Sequence, residues 1–289
     1  MERADIALID ADGIIFPIGF VAASAHLSLE ECFNNLDKRL LDIREQPIAE
    51  EAVFYYYCTA QSEGLGKYRD QFAGSIEYKA TRKAAALRPK YIDEMFQYLL
   101  QHNPTTTVKV DARWGEADDM VSAAAYTCRA ADVPCVIVSA DKDLRQIPGW
   151  HLHPKKLELE YVDERVAALN FYQQALTGDA ADNIPGIRGV GPVTAVRYLT
   201  GSMDQRAIRL SEDAQKRYPG ADLHERVMMA YESLIPPAEL DMFMTDLFNL
   251  LYLRKGKGDW YRGADSMVWP CPFVPDYDLV GLGECPYED

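Results

Sequence analysis

Residues 4–12 read Ala-Asp-Ile-Ala-Leu-Ile-Asp-Ala-Asp, and residues 134–143 read Pro-Cys-Val-Ile-Val-Ser-Ala-Asp-Lys-Asp. Each is a short, nearly continuous apolar run that ends abruptly in carboxylates. Such a run, without polar alternation, is the pattern of a strand covered on both faces. Two further runs match it, Ala52–Cys58 (AVFYYYC) and Thr106–Asp111 (TTVKVD). Between them, Leu29–Ile43, Tyr91–Gln101 and Ala117–Ala131 repeat apolar residues at three- and four-residue spacing, which predicts helices. Strands alternating with helices predict a parallel α/β sheet. His151 and His153 alternate around a leucine and read as strand surface.

After Pro154 the pattern turns mostly helical, with helices expected over Val162–Leu176 and about Val193–Leu199, and more through about Leu253. The last stretch, Asp259–Asp289, holds seven acidic residues against Arg262 alone and reads as an irregular tail. A division near residue 160 separates the two patterns.

The 289 residues carry 30 Lys+Arg and 45 Asp+Glu, a formal charge of −15, which excludes a uniformly basic coat. The charge is unevenly spread. Lys67 to Lys90 holds seven basic residues against Asp70 and Glu77, with Tyr68, Phe72 and Tyr78 interleaved. No apolar stretch of ~18 residues predicts a membrane helix. Met-Glu-Arg-Ala-Asp at the start lacks the basic region and cleavage site of a signal peptide. Six cysteines without a C-x-x-C pair read as buried thiols in a reducing compartment, the cytoplasm of a bacterium or of an infected cell.

The carboxylates carry the chemistry. In an open α/β sheet, ligands bind at the carboxyl ends of the strands. Asp10 closes the first strand, Glu116, Asp118 and Asp119 open a helix after the third, and Asp141 and Asp143 follow the fourth. Singly, each acid has another reading: a turn residue, or a carboxylate meeting the positive end of a helix dipole. Together, oxygen-only donors at one sheet edge suit hard cations, Mg²⁺ or Mn²⁺, and two such ions suit phosphodiester hydrolysis. In GDAADNIPGIRGVGP, Gly186, Gly189 and Gly191 allow a tight turn with outward N–H groups, and Pro192 suits a helix start. Such a helix start, beside Arg188 and Arg197, would grip phosphates without reading bases.

Five segments in this order resemble the bacterial and bacteriophage 5′-nuclease family (5′–3′ exonucleases and flap endonucleases). They are ALIDADGIIF, YRDQF…EYKATRKA, WGEADDMVSAAA, VSADKDLRQI and LTGDAADNIPGIRGVGPVTAVRYL, spanning roughly residues 4–200. The resemblance implies a PIN-like catalytic domain over 1–160, with a helical arch at about 60–105. A helix–turn–helix DNA-binding region and acidic tail would occupy 161–289. It implies two divalent ions held by Asp10, Glu116, Asp118, Asp119, Asp141, Asp143, Asp179 and Asp182. The catalytic set would be Asp10, Asp118 and Asp141 with Lys79 and Arg82 on the arch, Lys79 approaching the scissile phosphate. DNA contacts would come from Arg69, Tyr78, Lys79, Arg82 and Lys83, and from Gly186, Arg188, Gly189, Gly191 and Arg197, with K⁺ at the turn as in the family.

The expected substrate is DNA with 5′ flaps, nicks or duplex ends, and RNA primers paired with DNA, in replication or repair. A monomer is expected, with replication proteins as partners and no membrane. A PIN-type ribonuclease and a non-catalytic DNA-binding protein are the alternatives. One departure stands out. Many members carry an aspartate after the second strand, where this chain reads CTAQSEGLGKYR, leaving Glu63, Asp12 or no residue to replace it.

Overall fold

The computed structural model describes residues 3–60, 68–79, 89–111, 115–201, 208–256, 259–267 and 280. Six strands, β1 (Ile6–Asp10), β2 (Val53–Ala60), β3 (Thr107–Asp111), β4 (Cys135–Val138), β5 (Gly149–Leu152) and β6 (Leu159–Val162), form one sheet in the order β3-β2-β1-β4-β5-β6. The helices among the described residues are α1 (Asp12–Ala25), α2 (Leu29–Arg44), α3 (Ile92–His102), α4 (Ala117–Ala130) and α5 (Glu164–Thr177). They continue with α6 (Pro192–Leu199), α7 (Glu212–Arg217), α8 (Leu223–Glu232) and α9 (Pro237–Leu251).

Every residue of β1 is buried because the sheet is covered twice. Ile6 and Leu8 face a cluster built with Val121, Ala124 and Cys128 of α4. Ala7 and Ile9 face the opposite cluster, with Ile15 of α1, Leu36 of α2 and Met95 and Leu99 of α3. The alternation is real, but both sides are apolar, so the sequence shows an unbroken run. A third cluster, rich in rings, joins Phe171 and Tyr172 of α5 to Tyr198, Phe248, Tyr252 and Tyr261.

The α/β reading is borne out, with one correction: β6 runs antiparallel to β5, and the other pairings are parallel. Neither β5 nor β6 was expected as a full strand, since four-residue strands carry too little pattern to read. Their pairing is sealed by Trp150 against Tyr161, ring centroids 5.1 Å apart. His151 lies in β5 opposite Glu160, with Nε2 2.8 Å from the Ile147 carbonyl. Because β6 ends at Val162, the sheet extends two residues past 160. Helix α1 was also unforeseen, because Gly13, Pro17 and Gly19 obscure its periodicity. Gly19 is needed there: a Cβ would stand 2.7 Å from the Lys90 carbonyl.

Cys32, Cys58 and Cys128 are buried thiols and Cys135 is partly exposed; Cys271 and Cys285 lie outside the described residues. Of the tail beyond Met267 only Val280 is described, and it is buried against the α4 side of the sheet. Among the described residues, no helix is long and apolar enough to cross a membrane.

The aromatic cluster makes one pH prediction. His224 Nδ1 lies 2.7 Å from the Tyr261 hydroxyl, and burial lowers its pKa below the ordinary value, against the opposing charges of Asp222 and Glu225. The unfolded chain therefore takes up this proton at higher pH than the folded one, so stability falls as pH drops below about 6.5. In urea titrations between pH 7.5 and 5.5, His224→Leu should flatten this acid-side loss relative to wild type.

Candidate active site

Strand order reverses at β1, where β2 and β3 lie on one side and β4 on the other. This is the switch point at which an open α/β sheet leaves a crevice at its carboxyl edge. Asp10, the last residue of β1, is buried there. Its Oδ2 accepts from Ser139 Oγ at 2.7 Å, and its Oδ1 accepts from Gly13 N at 3.1 Å. Gly13 leaves space for this carboxylate: a Cβ would stand 2.6 Å from Asp10 Oδ2. Ser139 Oγ in turn accepts from Asp141 N at 2.9 Å, and Asp141 Oδ1 accepts from Asp143 N at 2.9 Å. The acids after β1 and β4 are thus joined by one short hydrogen-bonded relay.

The second group comes from the start of α4. Glu116 is the N-cap, and its backbone N–H donates to Asp119 Oδ2 at 2.9 Å, while Ala117 N donates to Thr59 Oγ1 at 2.8 Å. Glu116 holds Lys79, whose Nζ lies 2.7 Å from each carboxylate oxygen. Lys79 sits in the left-handed region, φ 53°, unusual for a branched-chain-free but Cβ-bearing residue. Its N–H donates to the Asp182 carbonyl at 2.7 Å, and Asn183 Nδ2 donates to the Glu77 carbonyl at 2.6 Å.

The third group comes from the turn after α5. The chain doubles back between Asp179 and Ile184, and Gly178 and Gly186 meet backbone to backbone. A Cβ on Gly178 would stand 2.4 Å from Gly186 N, and one on Gly186 would stand 2.2 Å from the Thr177 carbonyl. Asp179 Oδ1 accepts from Ala181 N at 2.8 Å, and its Oδ2 accepts from Gln174 Nε2 at 3.1 Å and lies 2.9 Å from Lys142 Nζ.

These groups line one cleft of about 760 Å³, which includes Asp10, Asp12, Glu116, Asp118, Asp141, Asp143, Asp179 and Asp182. Burial pushes Asp10 up to about 6, with Ser139 and Gly13 opposing. Burial pushes Asp12 to about 7 against Thr59, and Asp143 to about 7 with help from the Asp141 charge. Asp179 lies below its ordinary value, because Lys142 and the Ala181 and Asp182 amides outweigh its burial. The donors facing the cleft are carboxylates without His or Cys, a set suited to hard cations. Among the described residues, no three of these side chains converge tightly enough as they stand to enclose an ion.

No protein-family model matches the chain. It is 38% identical over 97 residues to DNA polymerase I of Pseudomonas aeruginosa, covering 30% of this chain and 10% of that one. Against the thermostable DNA polymerase I of Thermus thermophilus it is 30% identical over 183 residues, 59% of this chain and 21% of that one. Flap endonuclease Xni of Shewanella putrefaciens is 29% identical over 132 residues, 43% of this chain and 49% of that one. The chain is a relative of DNA polymerase I and flap endonuclease Xni. It spans about a tenth of the first polymerase and about half of Xni. A structure of T5 5′-exonuclease with bound zinc is 16% identical, with a TM-score of 0.49 over 86% of this chain and 99% of that one. The resemblance to the 5′-nuclease family read from the sequence is borne out.

Two of the expected residues of this 5′-nuclease relative have a different occupation. Arg69, expected to touch DNA, is 3% exposed, and its guanidinium donors point into protein. Nε donates to the Leu250 carbonyl at 3.2 Å, Nη1 to Glu116 Oε2 at 3.1 Å and Asp119 Oδ2 at 2.8 Å, and Nη2 to Asp119 Oδ1 at 3.0 Å and the Tyr252 carbonyl at 3.3 Å. A guanidinium has five N–H donors, so none is left for a phosphate. Asp119, expected among the metal ligands, is fully buried behind the cleft; it accepts from Arg69, from Glu116 N and, at 3.2 Å, from Arg254 N. Both follow from one pairing: the two buried charges satisfy each other.

The other expected residues fall as follows. Asp118 lines the cleft beside Tyr78, whose hydroxyl lies 3.3 Å from both Glu116 Oε2 and Asp182 Oδ2. Arg188, Gly189 and Gly191 are exposed around the start of α6, and Arg197 is exposed in its last turn. Arg82, Lys83 and Glu63 lie outside the described residues. Asp12, one of the candidates for the absent aspartate, accepts from Thr59 N through both oxygens at 3.2 Å and faces the cleft. Gln174 and Lys142 were missed, although Lys142 stands between two acids in the motif itself.

Asp119→Asn separates the two roles of this acid. Removing its charge leaves Arg69 buried without its main partner, and should lower stability by about 3–5 kcal/mol in urea denaturation. A metal ligand at that position would instead give a variant of near-wild-type stability with weakened Mn²⁺ binding.

Proposed function

We propose that the chain is a divalent-metal-dependent, structure-specific 5′-nuclease that hydrolyses phosphodiester bonds at DNA 5′ ends or flaps. The observation that carries this reading is the convergence of acids from β1, the start of α4, the end of β4 and the turn after α5 on one cleft, with Lys79 held at its wall. The donor chemistry fits Mg²⁺ or Mn²⁺. Asp10, Asp118, Asp141, Asp143, Asp179 and Asp182, with Glu116, would hold two ions, and Asp12 faces the same space where the family's further aspartate is absent. Bound ions would supply an activated water and charge stabilisation at the leaving oxygen.

The chain's own part is positioning. Ser139 and Gly13 aim the Asp10 carboxylate into the cleft, and the relay through Asp141 fixes Asp143 relative to it. Lys79, anchored through its backbone to Asp182, would exchange Glu116 for the scissile phosphate and stabilise charge developing there. Arg82 and Lys83 are assigned the same electrostatic role by resemblance. The start of α6, with Gly191 as N-cap, Pro192 next and no side-chain cap, is suited to a backbone phosphate, with Arg188 just before it and Arg197 in the last turn of the same helix. K⁺ at that turn, RNA–DNA hybrids as substrates, replication proteins as partners, a monomeric state, a cytoplasmic setting and the two-domain division near 160 complete the reading.

The test is cleavage of a 5′-flap duplex with Mg²⁺ and with EDTA, beside 3′-flap and single-stranded RNA controls. Asp141→Asn with Asp143→Asn should abolish cleavage and leave DNA binding largely intact, and Lys79→Met should lower turnover about 10²–10³-fold. Cleavage confined to RNA, or binding without cleavage by the wild type, would overturn the proposal.

A further inference from the structure

Asp143 and Asp179 come from different parts of the chain, yet one side chain holds both. Gln174 Nε2 donates to Asp143 Oδ1 at 2.8 Å and to Asp179 Oδ2 at 3.1 Å. Gln174 is buried, and its Oε1 accepts from Gln146 Nε2 at 3.3 Å, which also donates to the Leu251 carbonyl at 2.8 Å. The amide is therefore oriented with its two N–H groups toward the acids. A neutral, fixed donor keeps the carboxylate pair together.

Lys142 meets the same pair from the solvent side. Its Nζ lies 2.9 Å from Asp179 Oδ2, and its side chain is 65% exposed while that of Asp179 is 6% exposed. Asp141 and Asp143 flank it in sequence. The two neighbours of Asp179 thus differ in kind: one is buried and immobilised, the other is a flexible cation on an open four-carbon stem.

We infer that Lys142 is a built-in stand-in cation at the Asp143–Asp179 pair, displaced by a divalent ion rather than helping to hold it. This rests on the metal-dependent reading of the cleft. A divalent ion carries twice the charge of the ammonium and engages several oxygens at once. The exposed lysine loses little on leaving, since such pairs contribute modestly in water. Gln174 keeps the acids in place during the exchange. With the lysine in place Asp179 is neutralised; with it gone, the pair stays gathered and more strongly attracts a cation.

The experiment titrates the full chain, without DNA, with Mn²⁺ alone by isothermal calorimetry. Lys142→Ala should bind Mn²⁺ about threefold to tenfold more tightly than wild type at low salt, with a smaller gain in 0.5 M KCl. Lys142→Arg, which keeps the charge, should bind like wild type. Lys156→Ala, which removes a lysine paired with Glu158 outside the cleft, should change nothing. Equal or weaker binding by Lys142→Ala, or an equal gain in Lys156→Ala, would overturn this inference alone. Absence of Mn²⁺ binding in wild type and variants alike would overturn the metal reading, and this inference with it.

Discussion

The ion pair between Arg69 and Asp119 is the constraint on which the rest of the cleft depends. A planar guanidinium presents its donors in a fixed fork. Here that fork engages the start of α4 through Glu116 and Asp119, and the end of α9 through the Leu250 and Tyr252 carbonyls. Three parts of the chain, distant in sequence, are held at one point. A buried pair of this kind adds little net stability over an apolar substitute, but losing one member leaves the other charge stranded. Its structural value is geometric, since the fork accepts only one arrangement of its partners. The segment that follows is fixed again at Ser75, whose N–H and hydroxyl donate to Asp246 Oδ2 at 2.7 and 2.5 Å. With both ends of this short strap anchored, Lys79 has little choice but to arrive at Glu116.

Gathering carboxylates sets a second constraint, and the chain answers it unevenly. Asp179 is met by Lys142 and by two backbone amides, and its carboxyl falls below the ordinary range. Asp10 is buried and Asp12 and Asp143 are half-buried, all with mostly neutral donors, and each is pushed upward. The difference follows from what surrounds each carboxylate: a cation and two amides at Asp179, mostly neutral donors at the others. The acids left without adequate compensation are those for which an added cation has most to offer. Lys79 and Lys142 fill part of the deficit from within the chain.

Much of this was legible because it is local. An apolar run ending in an acid states both the strand and the position of the carboxylate, so Asp10, Asp141 and Asp143 could be placed at one sheet edge before any fold was known. The roles of Asp118 and Asp119 could not be separated in the same way. Successive helix residues point about 100° apart, so one of two neighbouring acids faces the cleft and the other faces away. Which is which is decided by Arg69, fifty positions earlier in the chain. Arg69 itself reads as part of a basic, solvated stretch, and only tertiary packing reveals it as buried. Gln174 was invisible for the opposite reason: one of two adjacent glutamines in a helix carries no signal until the two acids it bridges are brought together.

The glycine-rich run was the most recognisable segment, and its geometry explains which of its glycines are required. Gly178 and Gly186 are required by contact: at 2.4 Å from the opposing backbone there is no room for a Cβ. Gly189 is required by conformation, with φ 84° and open space around it. Gly191 has neither constraint and serves as an uncapped helix start. The contact closes the turn tightly, with Asp179 and Ile184 exchanging hydrogen bonds at 2.9 and 2.8 Å and Ile187 N donating to the Leu176 carbonyl at 2.8 Å. One side of that turn carries Asp179 and Asp182 into the cleft, and the other leads directly into α6. The acids and the helix start therefore cannot move independently. A phosphate held at α6 would be a fixed distance from the cleft, so the same turn that completes the acidic group would also set where along a strand it acts.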